Sequence, residues 1–172
     1  MGIKVLMPKQ VHERYEKYQN AIIANSMKKH MVGGYRIIPF EVPHDADIEC
    51  LAYIIDGPGI GRMLYMTDCV YCKYNLSKMK LNYIICECNH INGRLCENYE
   101  DHLWKRVLST HMDLSTVKEF LRVNRTDELK TVILCHLSKT NADESEMLRQ
   151  VQAVVGDSVN VHIAKKGVEI EL

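Results

Sequence analysis

The chain has 172 residues, 47% of them hydrophobic, which is enough to bury one substantial core and is the size of a single domain, 1–172. Its 22 Lys and Arg residues balance 22 Asp and Glu, which excludes a global field that would draw a long nucleic acid or an anionic membrane, while a small anionic substrate needs only local charge. No run approaches the ~20 apolar residues of a membrane span, the start Met-Gly-Ile-Lys-Val is too short for a signal peptide, and seven cysteines without a secretory signal read as reduced thiols, so a soluble cytoplasmic protein is expected.

Ile3 to Met7 is a short apolar run stopped by Pro8, and Val11, Tyr15, Tyr18 and Ile22 follow at helical spacing; the pattern predicts a strand and then a helix. Gly33-Gly34 opens an extended stretch through Val42. Residues 49–56 and 62–67 flank Gly57-Pro58-Gly59, the pattern of a β-hairpin. Tyr83 to Cys86 predicts another strand, whereas 89–110 is polar and irregular, with Trp104 covering a loop or short helix. Asp113 is placed to cap a helix carrying Leu114, Val117, Phe120 and Leu121 on one face, and Thr131 to Leu137 returns to β. A last helix, about 143–155, presents Met147, Leu148, Val151 and Val154 and ends at Gly156, a left-handed cap. Val159, Val161 and Ile163 alternate as a closing strand, followed by Val168 to Leu172; no repeat, linker or low-complexity segment divides the chain.

Three hydrophobic runs end in a residue able to bind a metal: His44 after Val42-Pro43, Asp68 after Leu64-Tyr65-Met66-Thr67, and His136 after Val132-Ile133-Leu134-Cys135. Open α/β folds place their chemistry just beyond the carboxyl ends of strands, so the three point to one shared site. Neutral imidazoles hold a borderline-soft ion, and a carboxylate can bridge two ions or orient a bound water. Singly, each has an ordinary structural explanation as a turn, a cap or a histidine at a sheet end; their repetition at three strand ends favours a site. The cysteines support a competing reading of a different class, a non-catalytic zinc-binding module built on Cys69 and Cys72 with Cys86 and Cys88, and Cys96 nearby. Against it, Cys86 and Cys88 close an apolar strand, where same-face thiols more often pack.

Further segments extend the pattern. Ile38-Pro39-Phe40-Glu41-Val42-Pro43-His44-Asp45, Tyr65-Met66-Thr67-Asp68, Cys86-Glu87-Cys88-Asn89-His90, Thr110-His111-Met112-Asp113-Leu114-Ser115 and Cys135-His136-Leu137-Ser138 occur in that order. Together they resemble the metallo-β-lactamase-fold hydrolases, in the phosphodiesterase-like branch that includes ribonuclease Z, over essentially the whole chain. The resemblance implies His44 and His136 as ligands of two different divalent ions, zinc first and manganese as the other choice, with Asp68 bridging them. It implies metal-assisted hydrolysis of a phosphodiester, with Asp68 and His111 catalytic. His111, at a helix start, donates a proton to the leaving oxygen or stabilises charge there. Ser138 and His111 contact the substrate, Ser138 alternatively capping the following turn, and Glu87 orients a ligand or serves only the structure.

One departure outweighs these matches: the His-x-His-x-Asp-His segment, which supplies four metal-binding side chains in the family, occurs nowhere in this sequence. Ile3-Lys4-Val5-Leu6-Met7-Pro8 looks like the strand that follows it. The expected fold is therefore α/β, a partial αββα sandwich with a mixed sheet and helices, lacking the N-terminal strands. Weak metal binding and no unaided activity follow, as does an uncovered apolar surface that calls for an N-terminal half or self-association. A vestigial binding domain is the further alternative. No membrane partner is expected; a small phosphodiester or nucleotide fits the neutral net charge better than a long RNA, and nucleic acid stays open.

Overall fold

The computed structural model describes residues 3–15, 20–45, 47, 49–92 and 101–172, with 101–105 described by backbone alone. At the start, β1 (Val5–Met7) and β2 (Ala21–Ile23) pair in parallel around α1 (Lys9–Arg14). The helix expected to reach Ile22 thus stops early, and Ile22 lies opposite Leu6 in a strand. None of the residues of α1 is buried, so no tertiary packing extends it, and a helix this short has little stability of its own. Tyr18 lies outside the described residues.

The remaining strands form one seven-stranded sheet in chain order: β3 (His30–Val32), β4 (Tyr35–Val42), β5 (Cys50–Gly57), β6 (Gly61–Met66), β7 (Tyr83–Glu87), β8 (Thr131–Cys135) and β9 (Asn160–Ile163). β3 to β6 are antiparallel neighbours, and β6 to β9 run parallel. The hairpin read from Gly57-Pro58-Gly59 closes on the pair Gly57–Gly61, with Gly59 and Gly61 at φ 85° and 62°, conformations that side chains disfavour. Parallel neighbours need crossovers, and these carry α2 (Asp101–Thr110), α3 (Leu114–Asn124) and α4 (Glu144–Val155). α2 is a full ten-residue helix where the polar segment 89–110 reads as irregular; residues 93–100 lie outside the described set, as does the side chain of Trp104.

Alternation along the strands sorts the sheet into two faces. Phe40, Ala52, Ile54, Leu64, Met66, Ile84, Cys86, Val132 and Leu134 join Val117, Leu121, Met147 and Val151 from α3 and α4 in one core. Leu64, Ile84, Val132, Leu134 and Val117 have no exposed surface at all. The opposite face carries Tyr53, Ile55, Met63, Tyr65 and Ile85, which lie outside that core, and Tyr65 is 41% exposed. The result is the mixed sheet with helices that the sequence leads one to expect. Among the described residues no helix is long and apolar enough to cross a membrane.

Helix ends follow the sequence signals. Asp113 caps α3, accepting from the Thr116 amide at 2.9 Å, and Asp143 caps α4 by the same bond from Glu146. Gly156 ends α4 with φ 87° and ψ 169°, a positive φ as expected but with an extended ψ rather than the left-handed helical value.

Candidate metal centre

The parallel strands β6, β7 and β8 end side by side, which places Asp68, Glu87 and His136 along one edge of the sheet. Asp68 and His136 each follow a strand with a positive φ, 54° and 55°. For Asp and His this left-handed conformation is uncommon but tolerated, and here it turns both chains out of the sheet directly at the site.

Glu87 lies beneath. Its side chain has no exposed surface, and its oxygens take three hydrogen bonds: Oε1 from His111 Nδ1 at 2.6 Å and from His136 Nδ1 at 2.9 Å, Oε2 from the Cys69 amide at 2.9 Å. A carboxylate buried in this way is stable only with such a set of donors, because a lone buried charge is expensive. An ionised carboxylate only accepts, so both histidines donate from Nδ1 and direct Nε2 away from Glu87. The bond from Glu87 raises the pKa of His111 above 6.5 against the opposing effect of burial.

Asp68, His111 and His136 each place a ligand atom within 4.8 Å of the others. Asp68 Oδ1 is 3.6 Å from His136 Nδ1, close but beyond hydrogen-bond distance. Two imidazoles and a carboxylate form a nitrogen and oxygen donor set of the kind that suits one zinc or manganese ion. His44 lies one ring further out: its centroid is 5.6 Å from that of His111, which is 5.0 Å from that of His136. His44 Nδ1 donates to the Thr110 carbonyl at 2.9 Å, which leaves its Nε2 as the lone-pair nitrogen. The structure therefore gathers Asp68 and His136 with His111 and leaves His44 adjacent rather than in the cluster.

His111 sits in a different place from the expected helix start. Its amide bonds the Val107 carbonyl at 3.0 Å, so it follows the carboxyl end of α2, three residues before α3 begins. The dipole of α2 there favours a cation on His111 instead of an anion beside it. Ser138 Oγ accepts from the Asn141 amide at 3.2 Å, a cap on the turn after His136. Asn89 donates from its side chain to the His136 carbonyl at 2.8 Å, and its own carbonyl accepts from the Ser138 amide at 2.8 Å, so this buried residue fixes the His136 loop.

Glu87 and Asn89 are the two residues whose importance the sequence understates. The available signal is a charged side chain, Glu87, interrupting the apolar run Tyr83 to Cys88 and an amide, Asn89, directly after it. The cysteine reading is not favoured: Cys69, Cys86 and Cys88 have no exposed surface and pack in the core. Among the described residues no cluster of metal-binding groups includes sulfur. In the metal-free chain burial pushes the Cys69 and Cys86 thiols far up, and Cys88 to about 12, so all three are neutral there. Cys96 lies outside the described residues.

No family model and no curated protein matches the sequence. Solved structures do. The chain superimposes on the metallo-β-lactamase fold protein YhfI from Bacillus subtilis with a TM-score of 0.70 at 17% identity, covering 96% of this chain and 63% of that one. A structure described as a possible metal-dependent hydrolase from Veillonella parvula gives 0.67 at 13% identity, covering 98% and 66%. CmlA, a diiron β-hydroxylase from Streptomyces venezuelae, gives 0.65 at 10% identity, covering 94% and 38%. The chain thus spans less than two thirds of the length of each. That a hydroxylase stands among these neighbours shows that the architecture alone does not specify the reaction. Taken with the mixed sheet, its helix-covered face and the donors gathered at one strand-end edge, the superpositions establish that this chain has the metallo-β-lactamase fold.

Proposed function

We propose that this chain carries one part of a metal-dependent hydrolytic centre for phosphodiesters, in the ribonuclease Z-like branch of the fold. The observation that carries the reading is the cluster of Asp68, His111 and His136 within 4.8 Å, set on the buried Glu87. Asp68 and His136 would hold a divalent ion, zinc or manganese, with His136 presenting Nε2 because Glu87 occupies its Nδ1. When bound, such an ion supplies Lewis acidity and brings the pKa of water toward neutrality. His111 has a different task. Its Nδ1 is anchored to Glu87 and its Nε2 proton is available to a leaving alkoxide, general-acid work that its short bond to a buried carboxylate favours.

The ligand count limits what these residues do alone. A two-ion centre of this branch draws on a His-x-His-x-Asp-His segment that is not in this sequence, and His44 has no second ligand beside it in the cluster. The remaining ligands come, in this reading, from a segment or partner chain seated on the sheet face of Tyr53, Tyr65 and Ile85, which lie outside the core that α3 and α4 pack against. The exposed part of that apolar face supports the reading.

The test is metal uptake and turnover of the purified chain. Elemental analysis is expected to find at most one ion per chain, lost in both Asp68→Ala and His136→Ala, with negligible hydrolysis of bis(p-nitrophenyl) phosphate. Two ions bound and turnover by the chain alone would refute the shortage of ligands; no uptake at all would refute the metal centre.

A further inference from the structure

The edge that holds Asp68, Glu87 and His136 does not end at β8. One strand further, β9 stops at Ile163, and the Ala164 amide bonds the Leu134 carbonyl at 2.8 Å, continuing the parallel register past the last paired residues. His136 then turns out of the sheet, and the two segments that leave this edge, 137–139 after β8 and 164–166 after β9, line one cleft. Adjacent strands lie about 4.8 Å apart, so the lysine-bearing segment leaves the sheet beside the strand that leads into His136.

A cleft of about 560 Å³ opens there, lined among others by Ser138, Lys139, Glu144, Ile163, Lys165 and Lys166. Glu144 neutralises Lys165, to which it is paired. Lys139 and Lys166 have no ion pair among the described residues, so the cleft keeps an unbalanced positive charge next to an apolar wall of Ile163 and Ala164. Ser138 joins the two regions, since it lines this cleft and lies two residues beyond His136.

Resting on the hydrolase reading above, we infer that this cleft is a subsite for a second phosphoryl group, and that the substrate class is a phosphodiester or nucleotide carrying a further terminal phosphate. Lys139 and Lys166 hold that phosphate by charge, and the apolar wall takes sugar or base carbon. An ammonium is a point charge with freely rotating donors, suited to a terminal phosphate of variable orientation. The outer face of α3 and α4 carries another basic cleft, with Lys118, Arg122, Arg125 and Arg149. There Glu119 pairs Arg122, Glu146 pairs Arg149, and Arg125 donates to the Val154 carbonyl, and that cleft shares no lining residue with the one at the strand ends. It serves as the internal control.

The test titrates adenosine 3′,5′-bisphosphate into the full chain, without metal, followed by amide chemical shifts. The expected changes fall on Ser138, Lys139 and Ala164 to Lys166, and K139A/K166A weakens binding by about tenfold or more, as for loss of a charge-assisted contact. Both lysines are exposed, so the double variant keeps its fold, checked by circular dichroism. With zinc added, wild type prefers the bisphosphate over adenosine 5′-monophosphate and the double variant does not. Equal loss in K118A/R125A, or changes confined to the α3 and α4 cleft, would mean diffuse anion attraction and overturn the inference. Because the first readout needs no ion, lysine-dependent binding without zinc uptake at Asp68 and His136 refutes the hydrolase reading and leaves only an anion cleft.

Discussion

Glu87 Oε1 and His111 Nδ1 meet at 2.6 Å, the carboxylate fully buried and the imidazole at the rim of the site. The bond ties the protonation of His111 to a group that solvent does not reach. In the metal-free chain, the His111 imidazole should titrate above 6.5, and Glu87→Gln should return it toward or below that value, read by NMR from its ring resonances. A raised folded-state pKa contributes stability that is fully present below 6.5 and is lost as pH rises through the raised value. The difference in urea midpoint between wild type and Glu87→Gln is therefore expected to be larger at pH 6 than at pH 9. A difference independent of pH would remove His111 from the account.

Glu87→Ala is a harsher change. It strands the Cys69 amide and two imidazole donors around a cavity, and a buried unsatisfied donor costs about 1–3 kcal/mol. We expect at least about 2 kcal/mol lost in urea unfolding, since the Cys69 amide is enclosed by protein. Retention of wild-type stability would mean that water replaces the carboxylate freely.

Asp113 should show the opposite pH sense. Burial pushes its pKa up, yet the bonds from Thr116 and Ser115 outweigh this and hold it below 3.8. Asp113→Ala is expected to cost about 1 kcal/mol at neutral pH, the usual penalty for a lost helix N-cap. A depressed carboxylate contributes stability that is present above 3.8 and is lost as pH falls through the folded value, so the gap between wild type and Asp113→Asn should close in acid. Guanidinium denaturation at pH 7 and at a series of pH values falling below 3.8 measures both.

Much of this architecture is legible in the residues. Gly57-Pro58-Gly59 reverses the chain between two apolar runs, and Asp113 announces the helix it caps. Asp68 and His136 stand out because each is the first metal-binding group after a strand. The failures have physical causes. Val11, Tyr15, Tyr18 and Ile22 keep a helical spacing, but periodicity describes a face that needs something to bury it, and α1 buries none of its residues. α2 is read only as a loop or short helix because its polar residues outweigh its apolar ones along the segment. Glu87 is the hardest to judge, because its burial is made possible by donors 18, 24 and 49 residues away, and no local pattern encodes that meeting.

The thiols separate the two metal readings. Cys50 is pushed up to about 11 by burial and by the nearby Asp68, and Cys135 to about 12 by burial and Glu87, so neither presents a thiolate at neutral pH. Cys50 also donates to the Asp68 carbonyl at 3.1 Å, which occupies its sulfur. Cobalt substituted for zinc should therefore give visible bands of nitrogen and oxygen ligation without the near-ultraviolet sulfur charge-transfer band. Native protein at pH 8 should react slowly with Ellman's reagent at Cys69, Cys86, Cys88 and Cys135, and in full after denaturation. His136→Ala should abolish the cobalt bands, while Cys69→Ser with Cys72→Ser should leave them in place. A sulfur band that disappears in that cysteine double variant would restore the zinc-module reading and displace Asp68 and His136 as the ligands.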